Sequence, residues 1–299
     1  ALHMNNYIAA TIVILLVIAS LAIFSPGHFW PHNPREYTEA PERIISINPP
    51  ATEIIYALGC ERKLTAVSNY CCFPPEAAQK QKIGGVTNPN YERISKLTPD
   101  LIIIQGKCRD IKDFCRYQGI EYVNINLRNI NEIYSGITRT GRILGCPDRA
   151  NDLCRQLKNG LKDIRKKVSS AEKKRVFLTI YRETGSLSGI TTVGPDTHLS
   201  ELISIAGGIN IFADSVQDYP IVSKESLLKR QPDIIIEACF SQPNKKEIIQ
   251  DWSRLKGLNA VTNNKIYTAN TDLVLKPGPR IVQAARMLAE LIHPEVFDE

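Results

Sequence analysis

Two glutamates hold matching places in this 299-residue chain, and the chemistry open to them is ion pairing at a surface. Glu92 stands in Asn90-Tyr91-Glu92-Arg93-Ile94-Ser95-Lys96-Leu97-Thr98-Pro99-Asp100-Leu101-Ile102-Ile103-Ile104. Glu225 stands in Ser223-Lys224-Glu225-Ser226-Leu227-Leu228-Lys229-Arg230-Gln231-Pro232-Asp233-Ile234-Ile235-Ile236. Each follows a capping residue by two positions, precedes a Pro-Asp by seven, and leads to an aliphatic run. A carboxylate in the first turn of a helix is stabilised by the helix dipole, roughly 0.3–1 kcal/mol, and can also meet a cation on another molecule. The chain carries no GxxxxGK[ST], no G-x-G-x-x-G after a strand, no G-x-S-x-G and no HExxH, so the common nucleotide and hydrolytic sites are missing.

The elements that position these glutamates follow from local chemistry. Asn90 or Ser223 accepts from an orphan N–H of the first turn. Proline then ends the helix, having no N–H and restricting the residue before it. The unalternating apolar run that follows predicts a strand buried on both faces, as in a parallel sheet. A second echo pairs Thr52-Glu53-Ile54-Ile55-Tyr56-Ala57-Leu58-Gly59 with Ser200-Glu201-Leu202-Ile203-Ser204-Ile205-Ala206-Gly207, each reading as a capped helix closed by glycine. Duplication predicts two α/β lobes with a cleft between them. Ala150, Leu153, Leu157, Leu161, Ile164 and Val168 recur at steps of three and four, so residues 147–174 read as one long helix able to join the lobes, weakened slightly by Gly160. The resulting division is a first lobe over 42–146, the linking helix over 147–174 and a second lobe over 175–299.

Ligands of open α/β sheets bind at the carboxyl ends of the strands. That rule puts Tyr70, Cys71, Phe73, Gln105 and Lys107 at one rim, and Tyr181, Arg182, Tyr219, Asp272 and Lys276 at the other. Aromatic bodies with a few polar groups suit a large, partly apolar ligand. Each also reads as an ordinary surface-loop residue. His198 precedes a helix of the second lobe and is either a ligand contact facing the cleft or a first-turn histidine. His28, His32, His198 and His293 are scattered and do not read as a metal site.

Composition is that of a globular protein, 43% hydrophobic and 23% charged, with a net charge of +6 spread along the chain. Small clusters such as Arg165-Lys166-Lys167 read as solvated helix faces, not as a nucleic-acid surface. The eight cysteines form no CxxC. Cys108 with Cys115, and Cys146 with Cys154, are candidate local disulfides in an oxidising compartment; the other reading of each is a small buried hydrophobe. Tyr7 to Phe24 is almost wholly apolar and uncharged. Residues 1–25 therefore read as a signal peptide or an uncleaved membrane anchor. Residues 26–41, with Pro26, Pro31, Pro34 and Pro41, read as a semi-extended tether.

The stretch from Glu42 to His293 resembles the ABC-transporter substrate-binding proteins for vitamin B12 and iron chelates, the helical-backbone class of periplasmic binding proteins. The resemblance lies in Arg43-Ile44-Ile45-Ser46 with Thr52-Glu53-Ile54, and in Tyr70 with Phe73-Pro74-Pro75-Glu76-Ala77. It continues in Asn88-Pro89-Asn90-Tyr91-Glu92-Arg93-Ile94, in Ala206-Gly207-Gly208-Ile209-Asn210, in Tyr219-Pro220-Ile221-Val222-Ser223-Lys224-Glu225, and in Pro277-Gly278-Pro279-Arg280. It implies two Rossmann-like lobes joined by a rigid helix, a ligand held between them with little hinge closure, and no intrinsic cofactor. It implies a carrier, not an enzyme, whose Glu92 and Glu225 meet arginines of an ABC permease dimer coupled to its ATPase. Tyr70, the Phe73-Pro74-Pro75 turn and Asp272 place it nearest the cobalamin binders. It departs from them at Val86, Gln105 and Leu273, where such a binder has tryptophans. The alternatives are an iron-siderophore or haem binder of the same class, or a metal-chelate-binding enzyme or sensor on the same scaffold.

Overall fold

Ile44–Ser46 (β1) is buried at every position, Ser46 included, as befits a strand covered on both faces. Around it the first sheet is wholly parallel, in the order β3-β2-β1-β4-β5, with Leu64–Val67 (β2), Gln81–Lys82 (β3), Leu101–Gln105 (β4) and Glu121–Ile125 (β5). The computed structural model describes residues 39–238 and 244–297. The apolar segment and most of the proline-rich tether read from the sequence lie outside those residues, as does Cys239.

The second sheet is built on Lys174–Tyr181 (β6). Gly208–Asn210 (β8) flanks one side of it, and Ile234–Glu237 (β9) followed by Ile266–Thr268 (β10) the other, all parallel. Thr191–Thr192 (β7) adds an antiparallel strand beside the end of β6. So the fold is α/β with two Rossmann-like lobes, and in each the first strand lies inside the sheet with later strands placed on both sides. The one antiparallel strand was not expected.

The duplication extends to single hydrogen bonds. In the first lobe the Asp100 carboxylate accepts from the Arg43 N–H at 3.1 Å, while the Asp100 N–H donates to the Arg43 carbonyl at 3.1 Å. The Arg43 guanidinium reaches back to the carbonyls of Leu97 and Thr98, at 2.5 and 3.1 Å. In the second lobe Asp233 accepts from the Arg175 N–H at 2.7 Å and donates to its carbonyl at 2.8 Å. The Arg175 guanidinium reaches Arg230 and Gln231, at 2.6 and 3.4 Å. Thr98 and Gln231, each just before its proline, share a left-handed φ of 42°. Such a backbone costs a non-glycine residue roughly 1–2 kcal/mol, and the arginine clamp holds it in both places.

The linking helix, Pro147–Lys167, is shorter than the 147–174 read from the sequence. It stops because Val168 turns inward and the Ser169 hydroxyl takes the Lys166 carbonyl, the local bonding by which serine competes with a helix. At 21 residues it is about 32 Å long. Two glycines explain how closely it is packed. A Cβ on Gly160 would lie 2.7 Å from Val282 of the last long helix, and one on Gly141 would lie 2.3 Å from the Ala150 side chain. Helices Ile130–Ile143 and Lys245–Ser253 escaped the sequence reading, although Asn129 caps the first and an Asn244–Glu247 capping box opens the second.

Candidate functional site

In the first lobe the strand order reverses between β1 and β4, which is where an open sheet leaves a crevice. Asn48 closes the base of it, its side chain accepting from the Gln105 N–H at 2.9 Å. Helix Pro49–Ala57 starts there, and β4 empties into Gly106 and the exposed Lys107. Beside them the chain from β2 turns through Tyr70, Cys71, Cys72 and Phe73. The loop is anchored from below by the Lys82 ammonium, which donates to the carbonyls of Cys71 and Ala77 at 2.9 and 3.2 Å. That anchoring leaves Tyr70 and Phe73 exposed, at 61% and 38%. Gln105 is half-buried.

Phe73 is not alone at the rim. The Arg280 guanidinium lies over its ring, 3.9 Å from the centroid. The same arginine makes a bidentate pair with Glu53, at 2.8 and 2.6 Å, and reaches Asp272 at 3.1 Å. Asp272 also pairs with Lys276. Five charged or aromatic groups from both lobes thus form one network, and it includes three residues expected at the rims: Phe73, Asp272 and Lys276. Burial raises the Glu53 carboxyl above its usual range, and Arg280 pulls it back. The pull of Lys276 and Arg280 keeps Asp272 below its usual range against partial burial. Glu53 and Arg280 were not read as site residues. Their signals were a glutamate inside an apolar helix and an arginine following Pro-Gly-Pro.

Three expected contacts are corrected by their burial. Cys71 is fully buried; its sulfur takes the Thr52 hydroxyl at 3.1 Å and meets Ser68 at 3.3 Å. Arg182, 1% exposed and just past β6, reaches Glu237 of the adjacent strand β9 at 2.9 Å and Asp251 of the helix Lys245–Ser253 at 2.8 Å. Trp252 donates to the same Glu237 at 2.8 Å. An arginine held by two buried carboxylates ties the end of β6 to β9 and to the helix Lys245–Ser253, and presents almost no surface to a ligand. His198 is 4% exposed, and burial holds its ring down at about 4, so it is neutral at ordinary pH. The two aromatics expected here, Tyr181 and Tyr219, are exposed, as is Ile221.

The lobes are fastened by further bonds. Arg128, just after β5, forms a bidentate pair with Asp218, at 2.7 and 2.6 Å, beside Tyr219. The Arg128 carbonyl accepts from the His198 N–H at 2.7 Å, and Glu201 accepts from the Ile130 N–H at 2.6 Å. Such cross-links oppose a hinge motion between the lobes. A separate groove of about 350 Å³ lies between Tyr134, Lys158, Arg165 and Glu201, and none of the expected rim residues lines it.

Glu92 and Glu225 are both exposed in the first turns of their helices, Tyr91–Lys96 and Lys224–Arg230. The caps are as the sequence predicts, Asn90 accepting from the Arg93 N–H and Ser223 from the Ser226 N–H. Glu92 pairs with Lys96 at 2.6 Å. Glu225 is held below its usual range by its own backbone N–H and by Ser223. Neither local disulfide expected from spacing forms. Cys115 is packed in the first core, Cys108 and Cys154 turn to backbone carbonyls, and Cys146 faces Cys60. Among the described residues no group of three or more His, Cys, Asp or Glu is placed to hold a metal ion.

Comparison with known proteins agrees with this architecture. A model of the periplasmic binding protein family matches residues 44–273. The ABC transporter substrate-binding lipoprotein YvrC of Bacillus subtilis, itself uncharacterized, is 30% identical over 87% of this chain and 82% of its own length. The vitamin B12-binding protein of Vibrio cholerae is 31% identical over 83% of this chain and 87% of its own length. The crystal structure of the periplasmic vitamin B12 binding protein BtuF of Vibrio cholerae superposes with a TM-score of 0.72 at 29% identity, covering 87% of this chain and 99% of that one. A possible iron-binding, periplasmic solute-binding protein from Staphylococcus epidermidis superposes with a TM-score of 0.76 at 28% identity, over 85% and 100%. With two duplicated lobes, a helical strut and a family match over most of its length, this chain belongs to the periplasmic binding protein family.

Proposed function

We propose that this protein is the ligand-capturing component of an ABC importer, working outside the cytoplasm, either anchored to the membrane or exported. It takes cobalamin or another corrinoid between its lobes and delivers it to a permease dimer driven by an ATPase. In this reading residues 42–146 and 175–299 are the two gripping lobes, and the segment between them is the strut. The ligand meets Tyr70, Phe73 and Lys107 from one lobe and Tyr181, Tyr219, Asp272 and Lys276 from the other, with Gln105 at the base of the crevice. Glu92 and Glu225 meet cationic side chains of the permease.

The observation that carries the import reading is the duplicated arginine–aspartate clamp. It sets two exposed glutamates in equivalent frames, one per lobe, which suits a partner built from two similar halves. The corrinoid reading is supported by the vitamin B12-binding relatives and by exposed aromatic rings in both lobes, which offer flat apolar contact. An iron chelate or haem is the second reading, favoured by the possible iron-binding neighbour from Staphylococcus epidermidis and by Val86, Gln105 and Leu273. Titration of the full chain with cyanocobalamin, haem and a ferric chelate, followed by intrinsic fluorescence, separates them. Saturable binding of cyanocobalamin alone is expected. Saturation by haem or the ferric chelate alone moves the ligand to the second reading, and saturation by none overturns the carrier.

A further inference from the structure

We infer that Cys60 and Cys146 join in a disulfide as this protein matures. The two residues are 86 apart in sequence, and their sulfurs lie 3.4 Å apart. Both are buried, at 4% and 6% exposure. Among the described residues no other two sulfurs are in contact. The bond would link two chain corners. Cys60 precedes the turn Glu61–Lys63 at the end of the first helix, and Cys146 is the N-cap of the linking helix. Arg149, in the first turn of that helix, holds the corners in register, donating to the Gly59 carbonyl at 3.1 Å and lying 3.6 Å from the Cys60 sulfur. A disulfide is about 2.05 Å long, so closure asks each sulfur to move by well under an ångström from a contact already made.

Burial and the neighbouring Cys146 thiol push the Cys60 thiol up to about 11. The folded reduced pair therefore holds little thiolate and reacts slowly. The bond forms while the corner is still open. A Cys60 thiolate attacks the disulfide of an oxidised dithiol carrier, forming a mixed disulfide and releasing one carrier thiol. The Cys146 thiolate then attacks the Cys60 sulfur and expels the second carrier thiol. Two electrons and two protons pass to the carrier, and nothing else is consumed. The extracytoplasmic reading above enters only as the source of that oxidant.

The test supplies the oxidant instead. The full chain is refolded from urea with reduced and oxidised glutathione, quenched in acid, alkylated while denatured, and mapped by mass spectrometry. The expected result is one linked peptide pair carrying Cys60 and Cys146, with the mass of two hydrogens lost. The linked chain should unfold at higher urea than the same chain in dithiothreitol. Cys60→Ser should show no such dithiothreitol shift, and Cys146→Ala provides the same comparison if the first variant does not fold. Both cysteines fully alkylated after refolding, or a linked pair joining any other cysteines, overturns the inference. A parallel cyanocobalamin titration of the refolded chain reports on the carrier reading separately, since the thiols lie apart from the rim residues.

Discussion

Replacing Arg280 by methionine tests how the lobes are held and how Phe73 is presented. The guanidinium is 11% exposed and its partner Glu53 only 2%, and the pair is bidentate, at 2.8 and 2.6 Å. Methionine keeps the apolar stem but leaves a buried carboxylate without its cation. Breaking a buried pair from one side costs about 3–5 kcal/mol, which for a chain of this size lowers the melting temperature by on the order of 10 °C. The pH dependence has a definite sign. Burial already raises Glu53 in the folded protein, so the native state binds its proton more readily than the unfolded chain and loses stability as pH rises through the raised value. Without Arg280 the carboxyl rises further. The deficit of Arg280→Met is then largest near pH 8 and narrows toward pH 5, where Glu53 takes a proton. Urea unfolding followed by Trp252 fluorescence at both pH values measures it. Glu53→Gln combined with Arg280→Met should recover part of the loss. A deficit below about 1 kcal/mol at pH 8, or one that grows toward acid, would refute the pairing as a source of stability.

Phe73→Ala should weaken ligand binding about tenfold, the scale of one aromatic contact of about 1.4 kcal/mol, in the fluorescence titration. Loss of fold instead of affinity, seen by circular dichroism, would count against a rim role. Glu92→Ala with Glu225→Ala should abolish transport in reconstituted vesicles while leaving ligand affinity within twofold; lost affinity would sink the docking role. His198, held at about 4 against an ordinary value of 6.5, withholds a proton that the unfolded chain accepts. Wild-type stability should therefore fall as pH drops from 6.5 to 4, by on the order of 3 kcal/mol, and His198→Gln should flatten that slope in urea titrations. Arg182→Met should cost about 3–5 kcal/mol at neutral pH, measured by thermal unfolding, because Glu237 and Asp251 lose their shared cation.

What the sequence disclosed and what it hid have separate physical causes. The parallel strands were legible because Leu101–Ile104 and Ile234–Ile236 are apolar without alternation, a pattern fixed by burial on both faces. Caps at Asn90 and Ser223 were legible because they act within one turn. Long-range pairing was not. Glu53 meets Arg280 across 227 positions, and Cys60 meets Cys146 across 86, and nothing local marks either partner. The same blindness put Arg182 on a rim: a strand-end arginine looks like a ligand contact until Glu237 and Asp251 close around it. The linking helix was overrun to residue 174 because periodicity shows which face is apolar but says little about a serine that stops the helix.

The paired clamps at Arg43–Asp100 and Arg175–Asp233 make the molecule its own replicate. A change at Asp100 can be read against the same change at Asp233, with solvent, temperature and chain length held constant by construction. Where the two responses differ, the difference belongs to what surrounds each copy, and so measures how strongly one bonding pattern depends on its setting.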